Sequence, residues 1–382
     1  MSATSVSLLE KLIAFDTVSR DSNLELIHFV HDYLNELGVA STLVYNDDRS
    51  KANLHAMIGP NTEGGVVLSG HTDVVPVDGQ PWSTDPFVLT AKDQRLYGRG
   101  TCDMKAFLAV SLAKVPAMQQ AALKRPIHLA FSYDEEIGCL GAPRLIEHIA
   151  QLQAKPQAVI IGEPTSMQAV VAHKGITALK TTVIGHEAHS SQVQRGASAV
   201  TLAARLVAFI DDMMQENAAK ADAANGFVPP YTTLHTGVIQ GGTAINIMAR
   251  ECSFIWDIRT LPGDPSQPYL DRLTEYGNQL LAPLRHLSEH IAIRHEILAN
   301  VPPLADHGGS AQELVNQSLN QPQQNVVPFA AEGGQFQNAG FDVVLCGPGS
   351  IDQAHQPDEY IDTDQISQCE QFMDQLIQRL SN

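Results

Sequence analysis

Positive charge is scarce in this 382-residue chain: 24 lysines and arginines stand against 42 aspartates and glutamates, a formal net charge of −18. A surface that binds nucleic acid or docks on anionic lipid needs a basic surplus, so neither partner is expected. Cysteine is sparse too. The five (Cys102, Cys139, Cys252, Cys346 and Cys369) are scattered without a C-x-x-C pair, which excludes a zinc ribbon and a dithiol redox motif and fits a reducing compartment. No apolar run approaches membrane-spanning length, and the opening MSATSVSLLEKLIAFD carries no basic segment ahead of an apolar one. The expected location is the cytoplasm. Familiar catalytic signatures are missing as well: there is no Walker A loop, His186-Glu187-Ala188-His189 lacks the H-E-x-x-H spacing, and Gly347–Ser350 is not a nucleophile elbow.

What the chain has is core-forming material. Hydrophobic residues make up 44% and charged residues 17%, and the length exceeds what one ordinary core accommodates, so two domains are expected. Leu8–Ala14 and Leu24–Leu37 carry apolar residues at helical spacing, the second ending at Gly38, a good C-terminal cap. Short β-rich runs follow at Ser41–Tyr45, Leu54–Ile58, Val66–Leu68, Ile127–Ser132, Ala158–Ile161 and Val343–Cys346. Helical patterns at Met104–Ala122 and Gly141–Gln153 alternate with them, which predicts an α/β fold with a helix-covered, mixed, largely parallel central sheet. From about Gly175 the texture changes. ITALKTTVIG, the Ala-rich Ala197–Glu216, strand-like Thr232–Gln240 and Glu251–Arg259, helical Tyr269–Leu281 and finally Ile291–Leu298 predict a smaller α+β module of ferredoxin-like β-α-β-β-α-β order. The expected division is a first part at 1–174, an inserted module at 175–290, and the first domain resumed at 291–382, ending in a helix at Ile366–Leu380.

At Tyr133–Gly138 the sequence YDEEIG crowds three carboxylates behind the apolar IHLAFS. Two readings stand: a solvated acidic turn, or a metal or acid/base site. Open α/β sheets bind ligands outside the carboxyl ends of their strands, so the location of metal-capable residues matters. VVLSG runs into His71-Thr72-Asp73, IHLAFSYD into Glu135-Glu136, AVIIG into Glu163-Pro164, and VVLCGPGSIDQA into His355; Asp103 sits in YGRGTCDMK, where a glycine-rich loop leads to a helix. Imidazole and carboxylate suit zinc and related divalent ions, and a carboxylate can bridge two of them. If His71 binds metal through one nitrogen, the other calls for a carboxylate, and Asp73 is near enough in sequence to serve. Each residue also has a plain reading. A single histidine at a strand end is more often an ordinary surface or core residue; Asp103 could cap the helix that follows, and Glu163-Pro164 could be a turn. The coincidence of five at comparable topological positions favours a metal centre.

GHTDVVP, YGRGTCDMKA, SYDEEIGCLG and GEPT, in this order, resemble the signatures of the two-zinc aminoacylase and carboxypeptidase family, and the resemblance spans essentially the whole chain. It implies two divalent ions, zinc first and cobalt second, with His71 and Glu163 on one, Glu136 and His355 on the other, and Asp103 between them. It further implies that Asp73 orients His71 and that Glu135 is the general base, taking a proton from a metal-bridging water and passing it to the leaving amine. The inserted module matches the family's lid and dimerisation domain, which implies a homodimer in which His189 reaches the partner's site as an oxyanion donor. Asn246 and Arg259 match lid positions facing the substrate, where an arginine pairs with its α-carboxylate. GPGSIDQAHQPDEYI resembles the branch that deacetylates N2-acetyl-L-ornithine in arginine synthesis, and AAEGGQF departs from the desuccinylase pattern. Other N-acyl amino acids, such as acetylcitrulline or succinyl-diaminopimelate, and dipeptides remain alternative substrates, and a non-catalytic metal- or ligand-binding protein on the same scaffold is the alternative of another class; the intact Glu135 argues against that last reading.

Overall fold

Each of the short apolar runs forms a strand in the computed structural model, which describes residues 4–319 and 323–382. In chain order the strands are β1 (Ser41–Tyr45), β2 (Ala52–Ile58), β3 (Val66–His71), β4 (Thr90–Lys92), β5 (Arg95–Tyr97), β6 (Ile127–Ser132), β7 (Ala158–Pro164) and β8 (Ala169–His173). Then follow β9 (Ile176–Ile184), β10 (Thr233–Gly241), β11 (Glu251–Arg259), β12 (Ala292–Val301), β13 (Gln324–Val327), β14 (Asp342–Gly347) and β15 (Tyr360–Asp362). The fold is mixed α/β in two units, one made of the chain up to Ala172 with Leu304–Val326 and Ala331–Asn382, the other of His173–Pro303 with Val327–Ala330.

The first unit is built on an eight-stranded sheet of order β1-β2-β6-β3-β7-β14-β8-β13. Its middle is parallel: β6 pairs with β3, β3 with β7 and β7 with β14. Strands covered by helices on both faces are apolar throughout, and β3, β6 and β7 are buried at every position. The helix Lys105–Ala113 is correspondingly buried along nearly its whole length. It comes close to the sheet because glycine stands beneath it: a Cβ on Gly162 would lie 2.0 Å from the Phe107 ring, and one on Gly70 would lie 2.6 Å from Met104 Cε. The sequence predicts one helix over Met104–Ala122. The structure divides it at Lys114, with Pro116 in the first turn of the second piece, Val115–Gln120, because proline has no amide hydrogen to continue the ladder. A small three-stranded sheet, β15-β5-β4, completes the unit.

The second unit is a four-stranded antiparallel sheet of order β10-β11-β9-β12. Burial alternates along β9 and β11, so one face is covered, and the helices Ala199–Ala219 and Gln267–Leu281 supply Leu202, Leu206, Ile210 and Leu273 to a core with Leu179, Phe254 and Trp256. One boundary is corrected. The sequence reading ended the inserted module at 290, yet β12 pairs with β9 from Ala292–Ile184 to Val301–Ile176, so it belongs to this sheet and the unit runs to Pro303. The strand pattern at Ile291–Leu298 is the one counted with this module from the sequence; only the boundary at 290 moves, because an edge strand with a half-exposed face looks like the surface of either domain. No helix among the described residues is long and apolar enough to cross a membrane.

Candidate metal centre

The parallel pairing brings the carboxyl ends of β3, β6 and β7 side by side, with His71 at the end of β3 opposite Ser132 at the end of β6. The chain then turns at YDEEIG. These residues are not strand, so the three acids are separated by the turn and not by alternating strand faces. Asp134 adopts φ 56° and points to Lys51, with which it forms a largely buried ion pair. Glu135 and Glu136 follow, their amides donating to Asp73 Oδ1 (3.1 Å) and Oδ2 (3.3 Å), while Ser19 Oγ donates to the same carboxylate at 2.7 Å. The crowding that the sequence left open is resolved by giving each acid a different partner.

Asp103 lies at the centre of what remains. Its Oδ1 is 3.0 Å from His71 Nε2 and its Oδ2 is 3.3 Å from His355 Nε2, so its two oxygens face two different imidazoles. Glu136 Oε2 is 3.1 Å from the same His355 nitrogen. Ligand atoms of His71, Glu135 and Glu163 all lie within 4.8 Å of one another, as do those of His71, Asp103 and Glu136. The plain readings of the sequence are therefore not what the fold adopts: the helix cap is Met104 without a side-chain bond, and Glu163 with Pro164 continues β7, buried, and forms no turn. The role expected of Asp73 changes in one respect. His71 Nδ1 bonds the Asp73 main-chain carbonyl at 2.9 Å, and the carboxylate Oδ1 is 3.7 Å away because it is engaged with the YDEEIG turn.

Electrostatics describe an anionic cage. Burial, reinforced by neighbouring carboxylates, pushes Glu135 and Glu163 well above the usual carboxylate range and Glu136 up to about 7. Burial opposes ionisation of Asp103 as well, but the hydrogen-bonded His355 and His71 outweigh it and hold that group low. His355 is pushed up to about 10 by its bonds to Asp103 and Glu136; in His71 the carboxylates, Asp103 foremost, overcome the opposing effect of burial. Among the described residues no lysine or arginine pairs with these four acids. Four crowded carboxylates and two imidazoles, with no lysine or arginine between them among the described residues, are a donor set that fits divalent metal, and the split orientation of Asp103 fits a bridge between two.

The remaining candidates sit in the second unit. His189 and Asn246 are brought together there: His189 bridges Ile247, Ser190 N donates to Asn246 O at 3.0 Å, and both residues are exposed. His189 Nδ1 is 2.8 Å from Ser191 Oγ. Arg259 lies on β11, its Nε 3.5 Å from Asp257 Oδ1. Two neighbours of the acidic cluster escaped sequence reasoning. Cys139 Sγ donates to Glu135 Oε1 at 3.2 Å, and the buried Glu332 accepts from Ser69 Oγ at 3.2 Å and from Ser132 Oγ. The four-residue spacing from Glu135 and the unusual AAEGGQF segment were the available signals.

Known proteins resemble this chain in sequence and in fold. Residues 67–379 match the model of peptidase family M20/M25/M40. The acetylornithine deacetylase of Pasteurella multocida is 34% identical over 97% of each chain. An M20 family metallo-carboxypeptidase from Sulfolobus solfataricus superposes with TM-score 0.79 at 19% identity, covering 99% of both chains. A dinuclear metal-binding M20 peptidase from Bacillus subtilis does so with TM-score 0.66 at 14% identity, covering 98% of this chain and 96% of its own. The chain belongs to peptidase family M20/M25/M40, as a metal-dependent hydrolase acting on amide bonds.

Proposed function

We propose that the protein removes the acetyl group from N2-acetyl-L-ornithine, releasing L-ornithine and acetate for arginine synthesis in the cytoplasm. The observation that carries the reaction class is Asp103 set between two imidazoles with Glu135 and Glu136 beside it. The substrate rests on the relatives named acetylornithine deacetylase, 34% and 35% identical along nearly the whole chain.

In this reading His71 and Glu163 would hold one divalent cation and Glu136 and His355 a second, with Asp103 shared between them; zinc is the first choice by donor set, with cobalt a workable substitute. When bound, such ions polarise the amide carbonyl and acidify the attacking water. Glu135 takes the proton of that water as its oxygen joins the acetyl carbon, then delivers it to the ornithine nitrogen as the C–N bond breaks. Asp73 keeps Glu135 and Glu136 in place through their amides. The second unit acts as a lid and dimerisation surface. From it His189 of the partner subunit donates to the developing oxyanion, and Asn246 and Arg259 bind the substrate, Arg259 its α-carboxylate.

The test is a substrate panel on purified, metal-loaded protein. Chelator-sensitive acetate release from N2-acetylornithine, well above that from acetylcitrulline, succinyl-diaminopimelate or dipeptides, is the expected result. Faster cleavage of any other member of the panel overturns the substrate assignment.

A further inference from the structure

Behind the anionic cage lies a second, entirely different use of a carboxylate. Glu359 is buried, and its Oε1 accepts three main-chain N–H bonds, from Gly100 (3.1 Å), Cys102 (2.8 Å) and Asp103 (3.1 Å). Its Oε2 takes Arg99 Nη1 at 2.6 Å, a pair with both side chains 1% exposed. The other guanidinium nitrogen, Arg99 Nη2, donates to Gln80 Oε1 at 2.6 Å, and Gln80 Nε2 donates to the main-chain carbonyl of His355 at 2.9 Å. Arg99 Nη1 also reaches the carbonyl of Gln356, at 3.3 Å. Trp82 lies under the guanidinium, 5.1 Å from its centre, with its indole N–H on Gln80.

Two loops that carry candidate ligands, GRGTCD and IDQAH, are thus tied to one buried ion pair. The Asp103 loop is irregular, with Gly98 and Gly100 at positive φ, so its buried main-chain amides need partners from outside regular structure, and His355 likewise sits at φ 63°, outside any helix or strand. We propose that Glu359 is a positioning residue for the metal centre: through three amides it sets the Asp103 carboxylate between His71 and His355, and through Arg99 and Gln80 it sets the distance from Asp103 to His355. The inference rests on the reading of Asp103 and His355 as ligands. Outer partners of this kind govern ligand orientation, and their loss costs roughly 10–100-fold in metal affinity or activity.

The experiment is a cobalt(II) titration of full-length apoprotein with a competing chelator, reading the visible d–d spectrum, alongside kcat and KM. In Glu359→Gln the amide keeps the size of the side chain but cannot satisfy Arg99 and the three amides together. It is expected to weaken at least one cobalt site about 10-fold or more and shift its spectrum, with kcat falling and KM little changed. Gln80→Ala, which leaves the Asp103 loop and the ion pair in place, guards against a variant that does not fold. It is expected to weaken only one of the two sites. A purely structural role would lower the urea midpoint while leaving cobalt affinity and spectrum as in the wild type; that result in a folded Glu359→Gln protein, or in Gln80→Ala, overturns the inference while the two-metal reading stands. Wild-type protein that binds no cobalt removes both.

Discussion

Glu135 and Glu136 are chemically identical neighbours whose difference comes from their surroundings. Glu136 touches His355, whereas Glu135 meets the Cys139 thiol and His71, and stands near the ligand atoms of His71 and Glu163. Replacing Glu135 by alanine is expected to leave metal content at the wild-type level and lower kcat by about 10²–10⁴-fold, the usual worth of a positioned general base. Elemental analysis and steady-state rates check it together, and wild-type turnover in the variant removes Glu135 from the mechanism. Five candidate ligands were legible in the sequence because four metal-capable residues followed strand-like runs and a fifth, Asp103, stood where a glycine-rich loop leads into a helix. The partner of His71 Nδ1 was not, since a two-residue spacing admits both the carbonyl and the carboxylate of Asp73, and only the backbone conformation selects one.

At the scale of elements, the site depends on how closely the helix Lys105–Ala113 lies on the sheet, since Asp103 precedes it. Gly162→Ala puts a methyl group into the space of the Phe107 ring, whose carbon is 2.0 Å from the added atom. The expected cost is about 1–3 kcal/mol of stability, measured as the urea midpoint, together with reduced activity from displaced Asp103. A second element-level feature is a chain of histidines across β2, β6 and the helix Ala142–Ala150. His55 Nε2 is 3.0 Å from His128 Nδ1, and His148 Nε2 is 3.2 Å from His55 Nδ1. Burial holds His128 down to about 4; burial and the charges of the other two hold His55 down to about 3. The folded state therefore binds fewer protons than the unfolded chain once pH drops below the usual histidine value near 6.5. Their stabilisation is full above that pH and is lost as pH falls from about 6.5 toward 4. His128→Gln should show a shallower decline of the urea midpoint over that window than the wild type. Equal slopes would exclude His128 as a source of acid sensitivity.

For the whole molecule, the buried and half-buried carboxylates gathered around His71 tie stability to the cations proposed to bind them. An ion that binds only the folded state at a hundred times its dissociation constant adds about 2.7 kcal/mol per site. Chelation is accordingly expected to lower the melting temperature by several degrees, and re-addition of zinc to restore it; an unchanged Tm after verified metal removal contradicts this. The proposed dimer allows a sharper experiment. Glu135→Ala and His189→Ala proteins are each expected to be nearly inactive, but refolded as a mixture they should regain about a quarter of wild-type activity, because half of the dimers are mixed and each mixed dimer has one site with both residues intact. Absence of recovery places His189 and Glu135 in the same subunit's site, or removes the dimer.

The sequence by itself determined the layered α/β character, the run of short buried strands, the different texture of the second unit, and the residue types gathered at strand ends. These are properties of composition and local periodicity, which act over a few residues. The tertiary structure decided which atoms meet: that Asp103 stands between His71 and His355, that Asp73 holds the YDEEIG turn by its amides, that β12 closes the second unit's sheet, and that Glu359 ties the Asp103 loop to the His355 loop. Each of these joins distant segments through strand register and loop closure, and a local pattern contains no term for either.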